Sequence, residues 1–369
     1  MCSRPACVRL VCAAALAILL LPARLPAHAP QAPAQGFAAT IAALSEPGGY
    51  FDTDNLISNE RSYLHVVPDL RALAPQAGRT GVYLGVGPDQ NFSYIAHVRP
   101  ALAILIDIRR DNLLLHLLFK ALFAASRTRV EYLAHLTGRS PPSEPGWEKA
   151  PVEGIVKRLD AAKPLGEDAV RALRDRLTTI VAAFGVPLSD ADRQTIDRFH
   201  RRFIQAGLGL QFNSTGRAPQ FNYPTYRDLL LEVDRAGTER SFMASEGDFQ
   251  FVKDLQARDR VIPVVGDLSS PAALGAIAKH LAAMKLEVAA FYTSNVEFYL
   301  FRDGTFPRFV DNLARLPRQP NSLIVRSVFP AGGAAMVPGY NSASLTQPIQ
   351  ALVEGYAKGR FRQYWELTR

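Results

Sequence analysis

Three groups of residues in this 369-residue chain have types and spacings suited to chemistry. The first is Gly85-Val86-Gly87-Pro88-Asp89-Gln90, with Asp107 following 20 residues beyond Gly87. A glycine turn between a strand and a helix brings backbone close to a ligand, and the N–H groups of the helix start favour negative charge. An acid at the end of the next strand is placed to hydrogen-bond a ribose hydroxyl. Gln90 stands where the dinucleotide fingerprint has Gly or Ala, and an anionic Asp89 would repel a pyrophosphate, so NAD and FAD fit poorly. Asp107 has a second reading, a structural pairing with Arg109, Arg110 or backbone N–H groups, because a carboxylate in an apolar strand must be hydrogen-bonded.

The second group is Tyr292-Thr293-Ser294-Asn295 with Glu297, at the end of another apolar run. Ligands of open parallel sheets sit outside the carboxyl ends of the strands. There Tyr292 would contact substrate, Asn295 would orient it and Glu297 would act as base. Alternatively, Ser294 or Asn295 caps a helix whose acid-favouring first turn holds Glu297. The third group, Asp52, Asp54, Asn55, Asn59 and Glu60, could line a substrate site, with Asp52 and Asn55 as its contacts. Without a calcium-loop spacing these residues also read as Asx turns and caps, and no metal site is expected. Asp267, in Gly-Asp-Leu-Ser, is either a ligand contact or part of an ordinary loop. The seven histidines show no metal-ligand spacing, and no G-x-S-x-G nucleophile elbow is present.

Positioning these groups requires strands that end where they begin. Val82–Val86, Leu102–Ile108, Val261–Val265, Val288–Thr293 and Ser322–Val328 are short runs with continuous apolarity, the pattern of parallel strands buried on both faces. Helical patterns alternate with them, and Ser270 with Pro271 starts one running to about Lys285. Asn112 to Leu136 reads as one long helix. Ser189-x-x-Asp192 and Ser245-x-x-Asp248 open others. The expected fold is therefore α/β, a doubly wound, mostly parallel Rossmann-like sheet over residues 48–330. A large helical insertion, at about 137–248, lies between the second and third core strands. A linker and short N-terminal segment (30–47) precede this domain and a C-terminal extension (331–369) follows it.

Composition fits a globular protein, with 48% hydrophobic and 21% charged residues. Residues 1–29 carry Arg4 and Arg9, an apolar run from Val11 to Leu21 and the exit string Ala27-His28-Ala29, the pattern of a cleavable secretory signal. The run is too short to span a bilayer. The expected product is exported, periplasmic or secreted, without a stable membrane anchor after cleavage. Cys2, Cys7 and Cys12 are the only cysteines, so the body of the chain has no disulfide, thiolate nucleophile or zinc–thiolate site. Loss of Arg4, Arg9 and Arg24 lowers the formal charge from +8 to +5, and no basic block points to nucleic acid. The expected partner is a small-molecule or protein ligand.

The words VYLGVG, LIDI, VVGD, AAFYTSNVEFYL and SLIVRSV, in that order, resemble the class I S-adenosylmethionine-dependent methyltransferase fold. GGYFDTDNLISNE, GVGPDQNFSYIA and FYTSNVEFYL also resemble an uncharacterised bacterial family described as methyltransferase-like, from about Gly48 to Val328. The resemblance implies S-adenosylmethionine as cofactor. Gly85 and Gly87 would hold its methionine part, Asp107 the ribose, and Asp267 would lie by the adenine. The third glycine of the loop is absent. Thr293-Ser294-Asn295-Val296 stands where amino-methylating members have a polar residue, two prolines and an aromatic. Two functions follow as alternatives: transfer of a methyl group to an acceptor near Asn295, or a non-catalytic exported binding protein that keeps the fold.

Overall fold

The continuously apolar runs form a parallel sheet. In the computed structural model, which describes residues 36–74, 80–143, 146–214, 223–330 and 336–368 together with Met1, the strands are β1 (Gly81–Gly85), β2 (Leu102–Asp107), β3 (Val261–Val265), β4 (Glu287–Ser294) and β5 (Arg318–Val328). Every residue of β1, β2 and β3 is buried, because helices cover both faces. A sixth strand, β6 (Ala343–Pro348), completes the order β3-β2-β1-β4-β5-β6. β1 to β5 run parallel and β6 runs antiparallel to β5. The result is a Rossmann-like α/β fold. The chain winds outward from β1 through β2 to β3, then returns to β4 on the other side of β1. This reversal opens a crevice above the carboxyl ends of β1 and β4.

β6 lies within residues 331–369, the expected C-terminal extension, and adds a strand to the sheet edge. Ala343-Ser344-Leu345-Thr346-Gln347-Pro348 has neither continuous nor alternating apolarity, and burial fades along it, as on a sheet edge. The structure corrects the long helix expected over Asn112–Leu136. It is two helices, Arg110–Ala125 and Arg129–Thr137, with Ser126 and Thr128 in extended conformations between them. The Thr128 side chain accepts from the Glu131 backbone N–H and so starts the second helix. Between β2 and β3 the described elements are all helical or single bridges. Arg110–Ala125 packs on β3 and carries Glu167–Ala183 and Asp190–Ala206 on its other side. Reciprocal capping boxes start Asp190–Ala206, at Ser189 and Asp192, and Tyr226–Leu230, at Thr225 and Asp228.

The helix Phe37–Leu44 packs beside β3. The chain then crosses the carboxyl ends of β3 and β2, with Glu46 N–H donating to Val265 O (2.9 Å) and Gly49 N–H to Ile108 O (2.7 Å). A Cβ at Gly49 would come within 2.8 Å of the Ile108 side chain, so this close crossing needs glycine. The segment from Ser45 to Glu60 thereby roofs the crevice. The expected signal peptide and most of the expected linker lie outside the described residues. Among the described residues no helix is long and apolar enough to cross a membrane.

Candidate functional site: a cavity at the strand-order reversal

The crevice holds a cavity of about 300 Å³, at the lower end of the range for small-molecule sites. Its wall comes from the turns after four strands: Val86 to Pro88 and Gln90 after β1, Ile106 to Arg109 at the end of β2, Gly266 to Ser269 after β3, and Ser294 to Val296 after β4. Tyr50, Phe51, Asn55 and Ser58 to Glu60 close it from the amino-terminal segment, and Tyr299, Leu300, Arg302, Asp303 and Thr305 contribute the far rim.

The glycine turn is shaped from beneath by two side chains that sequence reasoning missed. Asn91 Nδ2 donates to the carbonyls of Val86 (2.8 Å), Gly87 (3.3 Å) and Pro88 (2.7 Å), while Tyr83 Oη donates to Asn91 Oδ1 (2.7 Å). His116 Nε2 lies 2.9 Å from Gly87 O, and burial lowers this imidazole to about 4, so it is neutral at physiological pH. In a trans peptide, N–H points opposite to C=O. Carbonyls drawn down to Asn91 therefore turn the N–H groups of Gly87 and Asp89 away from it. Gly87 has φ +82°, and the side-chain amides of Gln90 and Asn55 converge over its Cα. Gly85 lies deeper. A Cβ there would collide with Asn91 and Tyr83, so this glycine makes room for the supporting network and does not line the cavity.

Asp107 lies on the wall and is engaged. Its Oδ1 accepts from the Arg109 backbone N–H (2.9 Å) and Nε (3.0 Å), and its Oδ2 from Arg109 Nη2 (2.8 Å). Arg109 Nη1 also donates to Thr53 O (3.1 Å) and Asp54 O (3.3 Å), tying the roof to β2. Of about four acceptor positions on a carboxylate, three are taken, leaving Asp107 one for a ligand. Asp267 is likewise on the wall. Its Oδ1 accepts from Ser269 N–H (2.8 Å) and Oγ (3.0 Å), an Asx turn.

The β4 end departs most from expectation. Asn295 lines the cavity, but Glu297 does not: with Arg326 it forms an ion pair whose two side chains are each 1% exposed. Arg326 Nε donates to Glu297 Oε2 (2.5 Å) and Nη2 to Oε1 (3.1 Å), and Nη1 reaches Gln347 Oε1 and Leu367 O. Arg326 thereby joins β5 to β6 and the carboxyl-terminal segment, and Glu297, its counter-ion, does not line the cavity. Tyr292 also misses the wall, its hydroxyl donating to Glu60. Asp52 is absent from the described lining, while Asn55 is part of it. Asp89 faces away: its carboxylate accepts from Tyr226 Oη (2.6 Å) under the helical insertion, and burial pushes it up to about 6. It does not oppose an anion in the cavity, as its sequence position had implied.

Glu60, one of the third group of residues expected to line a site, is the centre of this end. It is 1% exposed and accepts hydroxyl hydrogen bonds from Tyr292, Ser294 and Ser327. Burial raises its carboxyl above the usual range, and the three hydroxyl donors oppose that shift. Ser294 has φ +54°, a conformation L residues avoid, at a register shift between β4 and β5. Gln90 Nε2 donates to Tyr292 Oη (3.1 Å), extending the network to the glycine turn. Among the described residues, no group of three or more His, Cys, Asp or Glu side chains is placed to hold a metal ion.

Fold and cavity together define an α/β protein of the Rossmann-like class with a ligand-sized pocket at the reversal of strand order. The chain belongs to the family described as a domain of unknown function, DUF7790, which matches residues 56–177 and 212–355. The matched segments contain Glu60, the glycine turn, Asp107, Asp267 and Asn295, and omit the stretch around the Asp190–Ala206 helix. No protein of curated function matches the sequence.

Proposed function

We propose that this protein binds a nucleoside-type small molecule in the cavity between the Gly85–Gly87 turn, Asp107, Asp267 and Asn295, and that an adenosyl compound related to S-adenosylmethionine is the first ligand to test. The carrying observation is the position of the cavity. It lies at the one place in a doubly wound sheet where ligands are received, beside a glycine turn whose carbonyls are pinned away from it. Its volume suits a nucleoside better than a dinucleotide. The sequence resemblance to methyltransferases supplies the adenosyl expectation.

Between the two roles, the geometry favours binding over methyl transfer. Glu297, expected as the base, is committed to Arg326 and does not line the cavity. Residues 1–29, read as an export signal, favour the same role, because the methyl donor is made and kept in the cytoplasm. Isothermal calorimetry with S-adenosylhomocysteine and S-adenosylmethionine tests the reading. Binding of both without release of methylated product from candidate acceptors is the expected outcome. Absence of heat at millimolar ligand, with the protein verified as folded, would remove the adenosyl assignment.

A further inference from the structure

The charges on the cavity wall are unequal. Among the described lining residues the acids are Glu60, Asp107, Asp267 and Asp303, and the cations are Arg109 and Arg302. Each arginine is taken by a neighbouring acid, Arg109 by Asp107 (2.8 Å) and Arg302 by Asp303 (2.7 Å). Among the described residues, Glu60 and Asp267 have no ion-pair partner and no lysine or histidine lines the wall. Bringing a phosphate into such a space would place it near uncompensated carboxyl groups in a medium where charges are weakly screened.

Acceptors also outnumber donors where Glu60 sits. Tyr292 Oη donates to Glu60, so its oxygen accepts from the Gln90 amide. This fixes which end of the Gln90 amide is the nitrogen. Gln90 is 6% exposed and lies on the cavity wall, and its Oε1 has no partner among the described residues. A buried acceptor without a donor is costly and calls for one from outside the protein. Glu60 Oε1 accepts only from Ser294 among the described contacts, and so retains acceptor capacity.

We propose that the ligand of this cavity is phosphate-free and carries a cationic amine, which Glu60 and the Gln90 carbonyl oxygen receive at the β4 end. This rests on the reading of the cavity as a ligand site and adds the chemical class of one end of the ligand. The titratable groups facing Glu60 are Tyr292 from β4, Tyr83 from β1, Tyr94 from the Gln90–Val98 helix and Tyr364 from the carboxyl-terminal turn. Burial holds all four phenols above their ordinary range, so they stay neutral between about pH 5 and pH 8. The buried Arg326 is matched by Glu297. Glu60 is thus the group of this cluster whose charge a bound cation changes. A cation favours the carboxylate, so affinity rises as Glu60 loses its proton and falls as pH is lowered.

The test uses benzylammonium, benzyl alcohol and benzoate, three probes of similar shape and different charge, by saturation-transfer NMR and calorimetry on the wild type and on Glu60→Gln. Benzylammonium binding that exceeds both others, weakens as pH is lowered, and drops about tenfold in Glu60→Gln is the expected result. Benzoate binding as tightly as benzylammonium, or no benzylammonium binding at all, overturns the proposal. Binding insensitive to pH in the wild type overturns the role of Glu60 even where the variant does not fold. Failure of S-adenosylhomocysteine to bind, with benzylammonium bound as described, would retire the adenosyl assignment alone.

Discussion

Two buried glutamates flank the end of β4, and they differ in everything except burial. Glu60 and Glu297 are 1% and 0% exposed. Glu297 is met by a guanidinium held in a bidentate fork, which satisfies both oxygens and removes the charge from play. Glu60 is met only by hydroxyls, from Tyr292, Ser294 and Ser327, and lies on the cavity wall. Burial therefore does not mark function here; the chemistry of the partner does. An acid whose charge is cancelled internally holds structure together, whereas one solvated by neutral dipoles still responds to what enters the cavity.

The largest effect should come from breaking the matched pair. Arg326→Met leaves Glu297 in an apolar setting without its cation and also releases Gln347 and Leu367 O. The expected loss is about 3–5 kcal/mol of folding stability, measured by urea denaturation. The double variant Arg326→Met/Glu297→Leu should recover most of it, because replacing both charges avoids the stranded carboxylate. If the single variant were no less stable than wild type, Glu297 would not depend on Arg326, and the contrast with Glu60 would disappear.

Asp89 extends the comparison to a third buried acid, this one with a single phenol donor, Tyr226. Its folded-state value of about 6 lies above the ordinary 3.8, so the folded protein binds more protons than the unfolded chain between these values. Stability from this group falls as pH rises through that window and stays low above it. Asp89→Asn keeps an acceptor for Tyr226 and removes the ionisation. It should stabilise the protein at about pH 8 by on the order of 2–3 kcal/mol, with the gain vanishing near pH 4. Equal stability of the two proteins at both pH values would show that Asp89 is not held in a desolvated state.

Much of this arrangement was legible in the sequence, and the illegible part has a common cause. Strands buried on both faces announce themselves as continuous apolar runs, so β1 to β5 could be read directly, together with the capped helices at Ser189, Ser245 and Ser270. The split at Ser126 to Thr128 has a local sequence signal, the capping pattern Thr128-x-x-Glu131. β6 carried none, because an edge strand needs no apolar alternation. At the site, the Asp107–Arg109 pair is local, two residues apart, and was one of two open readings. The pairings that decide the β4 end are not local. Glu297 meets Arg326 across 29 positions, and Glu60 meets Ser294 across 234. Periodicity and spacing report on neighbours in sequence, and cannot report on partners that only the sheet brings together.

The smallest expected change probes how Glu60 is held. Ser294 occupies φ +54°, where glycine is unstrained and serine is not. Ser294→Gly removes that strain and also the hydroxyl donated to Glu60, two effects of opposite sign and similar size. Net stability should stay within about 1 kcal/mol of wild type. The pH response should move further. The Ser294 hydrogen bond holds Glu60 down against burial, so without it the carboxyl titrates at higher pH and benzylammonium needs a more alkaline solution to reach the same affinity. An unchanged pH profile in a variant of unchanged stability would mean that Ser294 does not solvate Glu60, leaving Tyr292 and Ser327 to do so. The strained serine would then have no electrostatic role in the contrast between the two glutamates.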